Sequence, residues 1–179
     1  MEFSVLLEER RSIRSYQHGV SVSTEDIEAM VYAAQQAPSW KNSQSGRYYA
    51  VISKEKAEEL RLTCLPGFNC ERTEGAAGYI VTTFKCGNAG YAPDGTPTDS
   101  LGDGWGAYDL GLQNANFILK ARELGYDTLI MGLRNEQKLR EMLSIPDDEI
   151  MVSVIAIGKR AVEPQKPQRN NISEIVKIF

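Results

Sequence analysis

Apolar side chains recur along this chain at two spacings, and the switches between them predict its elements. Ile27, Met30, Val31 and Ala34 return every three or four residues, the period of a helix with one buried face. Ser23, Thr24, Glu25 and Asp26 precede them, a side-chain cap followed by first-turn acids. Pro38 ends the pattern, because the residue before a proline avoids helical backbone. Residues 47–53 (RYYAVIS) and 78–84 (GYIVTTF) are short runs of aromatic and β-branched side chains, which predicts buried strands. Residues 54–63 return to helix. The longest helical pattern covers 105–125, with Leu110, Asn114, Phe117, Ile118 and Ala121 on one stripe and Gly125 as its C-terminal cap. Residues 3–9 and 136–143 read as further helices, and 127–131 and 151–157 as strands.

Two stretches follow neither period. Residues 85–106 hold six of the fifteen glycines together with Pro93 and Pro97, which predicts a long mobile loop. Residues 163–171 are polar with two prolines, and ISEIVKIF then closes the chain. A polar extension with an apolar end is the pattern of a segment that wraps a neighbour. No repeat or boundary interrupts the order, so 1–179 is expected to form one α+β domain.

Composition narrows the function classes. The 42% hydrophobic and 25% charged content is ordinary for a globular chain, and no stretch approaches the roughly 20 apolar residues that span a bilayer. The first residues lack a basic region before a long apolar run, so no secretory signal is read and a cytoplasmic protein is expected. With 20 basic against 24 acidic residues, nucleic acid is not an expected partner, nor is a membrane. Cys64, Cys70 and Cys86 form no CxxC pair, and His18 is the single histidine. That scarcity argues against a zinc site and against a cysteine nucleophile with its histidine base.

Against the acidic background, Arg10, Arg11 and Arg14 gather around Ser12. Guanidinium forks and a hydroxyl match a phosphate's acceptor oxygens, although cations also sit favourably at a helix C-terminus. A second polar cluster, Pro38-Ser39-Trp40-Lys41-Asn42-Ser43-Gln44, offers amides to the edge of a heterocycle, or is an ordinary turn. A third stretch, GYDTLIMGL from Gly125, ends a strand on Met131-Gly132, where a planar ligand could approach the backbone.

Taken in order, RRSxR, APSWKNSQ, LGLQNANFILKARELGYDTLIMGL, VIAIGK and KPQRNNISEIV resemble the nitroreductase family of FMN-dependent enzymes. The resemblance implies a three-layer α+β fold: a central, mostly antiparallel sheet flanked by helices, with a C-terminal extension wrapping the partner of a homodimer. It implies that Arg10, Arg11, Ser12 and Arg14 hold the FMN phosphate, assisted from the tail by Arg169, with Lys159 and Lys166 as further candidates. Pro38, Ser39, Asn42 and Gln44 are implied to reach the flavin of the opposite subunit; Lys41, beside them, is read either as a cation near the N1–C2=O edge or as a solvated loop lysine. The backbone of Ile130, Met131 and Gly132 is implied to lie beside the ring. Two positions depart from the family pattern: Ser45 stands where a proline is common, and Met131 where some members carry an acid.

The activity so implied is an oxidoreductase taking hydride from NADH or NADPH and reducing nitroaromatics, quinones or related electron-poor substrates. A shared site predicts ping-pong kinetics. The cofactor carries the chemistry, so no catalytic side chain and no metal is expected. Two rivals share these residues: a non-catalytic flavin-binding sensor or storage protein, and a specialised flavin dehalogenase or fragmentation enzyme.

Overall fold

Alternation along two central strands decides which helices cover which face. The computed structural model describes residues 2–179. Its strands are β1 (Gly46–Val51), β2 (Gly78–Lys85), β3 (Asp127–Met131) and β4 (Glu149–Gly158). They form one sheet in the order β1-β2-β4-β3, with every neighbouring pair antiparallel. The helices are α1 (Phe3–Glu9), α2 (Thr24–Gln35), α3 (Lys54–Cys64), α4 (Gly67–Arg72), α5 (Gly104–Glu123), α6 (Glu136–Leu143) and α7 (Ile172–Ile175).

Tyr79 and Val81 of β2, with Val154 and Ala156 of β4, pack against Ala57, Leu60 and Cys64 of α3 and Leu139 of α6. The intervening residues Ile80, Ile155 and Ile157 pack on the other face against Ile27, Met30 and Ala34 of α2 and Phe117 and Ala121 of α5. The result is three layers, as the resemblance implies. Each fully buried Val, Leu, Ile, Met or Phe among them contributes about 1.5–3 kcal/mol relative to exposure. Among the described residues no helix is long and apolar enough to cross a membrane.

The helix signals act as read. Ser23 Oγ accepts the Asp26 N–H at 3.0 Å and starts α2, and Gly125 follows α5 at φ 86°. The glycine-rich stretch is more organised than its composition predicts. Residues 86–103 hold neither helix nor strand, yet they are tied to themselves and to α5. The Thr98 N–H donates to Gly90 O at 2.9 Å, the Gly87 N–H to Asp103 Oδ1 at 2.8 Å, and the Trp105 indole N–H to Asp99 at 2.9 Å. Gly90 is required there, since a Cβ would stand 2.6 Å from Gly102 O in a backbone already at φ 83°.

The tail leaves the body after β4. The Ala161 N–H donates to Ser15 O at 3.0 Å, so the tail begins alongside the N-terminal segment. Its last apolar residues have nothing to cover: Ile172, Ile178 and Phe179 are 75%, 91% and 111% exposed.

Candidate functional site

The arginine segment is held by its apolar residues and by the edge of the sheet. After α1 the chain runs extended beside β3, where the Ile13 N–H donates to Thr128 O at 3.0 Å and Ser12 bridges Thr128. Ile13 and Tyr16 plug into the core, which leaves Ser12 and Arg14 exposed. The tail crosses here and closes the other side. Arg10, Arg11, Ser12 and Arg14 line a cavity of about 390 Å³ together with Pro164, Gln165, Lys166, Pro167 and Arg169. Lys159 lies outside that lining, exposed just past β4, where its carbonyl accepts the Gln17 N–H at 2.9 Å.

The cavity is short of negative charge. Lys166 pairs with Glu8, and that hydrogen bond and charge hold the Glu8 carboxyl below its usual range. Among the described residues Arg10, Arg14 and Arg169 have no carboxylate partner. Burial, then the neighbouring Arg11 and Arg169 cations, push Arg10 below the ordinary arginine value. Crowded, partly desolvated guanidiniums without a counter-charge are a site for an anion.

Arg14 also lines a second cavity, of about 320 Å³, with Phe68, Asn69, Arg72 and residues 129–133. The two cavities therefore form one strip along the β3 edge, charged at one end and half apolar at the other. Ile130 is exposed on this strip, whereas the Met131 side chain is buried in the core, so Met131 presents only backbone. A Cβ built at Gly132 would meet no atom of the chain, which leaves the end of β3 open to a flat ligand.

Phe68, Asn69 and Arg72 escaped the sequence reading because six residues of α4 are too few to display a period. Buried Asn69 donates from Nδ2 to Leu133 O at 3.0 Å and fastens α4 to the end of β3. Arg72 lies exposed, its guanidinium 5.1 Å from the Phe68 ring centroid. The only available signal was Pro66-Gly67, a plausible helix start.

The other polar cluster folds tightly but elsewhere. The Trp40 N–H donates to Asp109 Oδ2 at 2.8 Å, and the Gln44 N–H donates to Ser39 Oγ at 3.2 Å. Trp40 also packs on Trp105, with ring centroids 4.6 Å apart. Lys41, Asn42 and Gln44 all hold positive φ, at 45°, 56° and 48°. Left-handed backbone costs an L residue about 1–2 kcal/mol, so the anchors at Asp109 and Trp105 sustain a strained, exposed turn. Asp109 is buried, and desolvation raises its carboxyl above the ordinary aspartate value. Ser45, next in the chain, is fully buried.

This turn leads into β1, while the arginine segment lies on β3, at opposite edges of the sheet. Three strand spacings separate those edges, about 14 Å across the sheet. Within one chain, then, Pro38, Ser39, Lys41, Asn42 and Gln44 are not brought to the strip that gathers Arg10, Arg11, Ser12, Arg14, Arg169, Ile130, Met131 and Gly132.

Comparison with known proteins agrees with this architecture. The family described as Nitroreductase family matches residues 7–159, and the chain belongs to it. It is 31% identical over 153 residues to an Archaeoglobus fulgidus protein named as a candidate NADH dehydrogenase/NAD(P)H nitroreductase, covering 83% of this chain and 80% of that one. It is 25% identical to the Bacillus subtilis protein YdgI, named as a candidate NAD(P)H nitroreductase, over 97% of this chain and 96% of YdgI. A nitroreductase-type protein of Exiguobacterium sibiricum, solved in complex with FMN, superposes with a TM-score of 0.85 at 25% identity, covering 100% of this chain and 98% of that one.

Proposed function

We propose that the chain, as one domain over 1–179, is an FMN-dependent NAD(P)H oxidoreductase that works as a homodimer and reduces flat, electron-poor acceptors. The observation that carries this reading is the uncompensated arginine cluster at one end of the β3 strip. Its donor set fits a terminal phosphate, and the open backbone at Gly132 fits a planar ring. Relatives named for NAD(P)H and a fold neighbour solved with FMN support the same assignment.

A bound FMN would supply the redox chemistry, as acceptor of hydride from NADH or NADPH and donor of electrons to a nitroaromatic, quinone or related substrate. The chain's own residues bind and orient. Arg10, Arg11, Ser12, Arg14 and Arg169 hold the phosphate, and the backbone of residues 130–132 lines the ring. Arg72, in the same cavity as that backbone, supplies positive charge beside the ring. Lys41, on the distant turn, belongs with the residues offered to the partner's site. No carboxylate or imidazole of the same chain lines the cavity at the end of β3, so protons are expected from solvent or from the acceptor's surroundings.

Two features support the homodimer. The 38–44 turn stands strained and exposed at the edge away from its own strip, and the tail's apolar end has nothing to cover. A second copy accounts for both, in an interface of the large obligate class, about 2,000–5,000 Å².

The test is the visible spectrum of purified protein before and after anaerobic NADH or NADPH. A flavin spectrum that bleaches is expected, with parallel double-reciprocal lines when acceptor and nicotinamide are both varied. Bound FMN that neither nicotinamide bleaches would identify a binding protein without reductase activity. Failure to bind FMN would overturn the reading altogether.

A further inference from the structure

Both walls of the anion cavity start from one ion-pair network centred on the buried Asp127. One wall begins at Arg10, directly after Glu9, and the other at Pro164, directly after Glu163. Arg160 reaches both roots. Its Nη2 donates to Glu9 O at 3.3 Å and its Nη1 to Glu163 Oε1 at 2.6 Å. The same guanidinium is fixed from behind by Asp127, which accepts from Nε at 3.0 Å and from Nη2 at 2.7 Å. The second Asp127 oxygen accepts the Arg160 N–H at 2.9 Å. Asp127 is buried, with 3% of its side chain exposed, and a second cation, Arg122, lies 3.4 Å from it and 3.0 Å from Glu9 Oε2.

From this geometry we infer that Arg160, pinned by Asp127, is a positioning residue for the phosphate site: it sets the spacing of the two walls without touching the anion. Arg160 does not line the cavity, and its side-chain contacts are with Asp127, Glu9 and Glu163. A planar fork can serve several acceptors at fixed angles, which an ammonium on a flexible stem cannot. A buried ion pair is weak evidence for added stability, whereas fixing geometry is a role such a pair can perform. Asp127 opens β3, the strand beside which Ser12 and Ile13 run, so the network ties cavity and sheet edge into one frame.

The inference rests on the phosphate reading, and its test separates the two. Dissociation constants for FMN and for riboflavin, which lacks the phosphate, are measured by flavin fluorescence on the dimeric apoprotein. The wild type is compared with Arg160→Lys and with the charge-neutral double variant Asp127→Asn/Arg160→Gln. Arg160→Lys keeps a cation beside the buried carboxylate, so it remains informative if the double variant does not fold. Glu163 is largely exposed, and Glu163→Ala severs only the tail tether. The expected result is a loss of FMN affinity of tenfold or more in Arg160→Lys, with riboflavin affinity unchanged within twofold. Glu163→Ala shows a smaller loss of the same selectivity. An unchanged FMN-to-riboflavin ratio, or equal weakening of both ligands, overturns the positioning role while leaving the phosphate site standing. A wild type with no preference for FMN over riboflavin overturns the phosphate reading, and this inference with it.

Discussion

The arginine segment and the 38–44 turn are both compact polar clusters, and the fold treats them oppositely. Residues 10–14 lie along β3 and meet the tail of the same chain, so their site is assembled within one subunit. Residues 38–44 are also anchored, yet they present strained backbone at the β1 edge, away from that cavity. Under the proposed function, the cluster that converges on a cavity is the phosphate site. In the proposed homodimer, the cluster held exposed across the sheet supplies half of a site that the second copy completes. The comparison teaches that clustering in sequence predicts polarity, whereas sheet order decides whose site that polarity serves.

The sharpest way to break the first half is the double variant Arg10→Ala/Arg14→Ala. Charge-assisted bonds of this kind contribute about 1.5–3 kcal/mol each. FMN affinity should therefore fall by roughly 10²–10⁴-fold, at about 1.4 kcal/mol per tenfold. The thermal midpoint of the apoprotein should hold or rise, because removing two crowded cations relieves repulsion. Retained flavin affinity in equilibrium dialysis would refute the clamp.

The second half is tested by complementation. Mixed dimers pair a clamp-defective subunit (Arg10→Ala/Arg14→Ala) with a turn-defective one (Asn42→Ala/Gln44→Ala). If the turn serves the partner, one intact site is rebuilt per mixed dimer, and about half of wild-type turnover returns. If the turn acts in its own subunit, no mixed dimer has an intact site and turnover stays at the level of the defective parents.

A smaller effect is expected at the anchor. Asp109→Ala leaves the half-buried Trp40 N–H without its acceptor, a loss of about 0.5–1.5 kcal/mol in urea unfolding. Asp109→Asn keeps an acceptor and should cost little. The sign with pH is defined. Burial raises the folded-state value of Asp109, so the folded protein holds this proton more tightly than the unfolded chain does. Its contribution is most favourable at acid pH and is lost as pH rises from the ordinary aspartate value through the folded one. The stability of Asp109→Asn relative to wild type should therefore increase between acid and neutral pH. The opposite trend would mean that the carboxylate, not its acceptor geometry, holds the turn.

The smallest effect is predicted for His18→Ala. His18 lines a separate cavity of about 600 Å³ with Lys54, Glu58, Arg61 and Glu74, away from both polar clusters. Turnover should stay within twofold of wild type, and a large loss would require a proton route absent from the β3 strip.

Much of this was legible in the sequence, for identifiable reasons. The cap at Ser23, the period through Ala34 and the glycine after α5 act over a few residues, so their signals sit next to their effects. The four strands appear as runs that alternate between two apolar faces. Other features had no local signal. Helix α4 is too short for a period, and the order of 86–103 comes from scattered Asp and Thr side chains meeting backbone across the loop. Asp109 falls inside a helical stretch, and only contact with Trp40, 69 positions away, gives it a task.

By itself, then, the sequence determined the elements, the cationic character of residues 10–14 and the polar character of 38–44. Each depends on neighbours within one or two turns of chain. Tertiary structure alone decided that β2 and β4 would occupy the centre and that β1 and β3 would become opposite edges. It also decided that Asp127 would meet Arg160, 33 residues away. Such pairings count only after long loops have closed, and their free energy comes from faces that match across the sheet, not from any short run of residues.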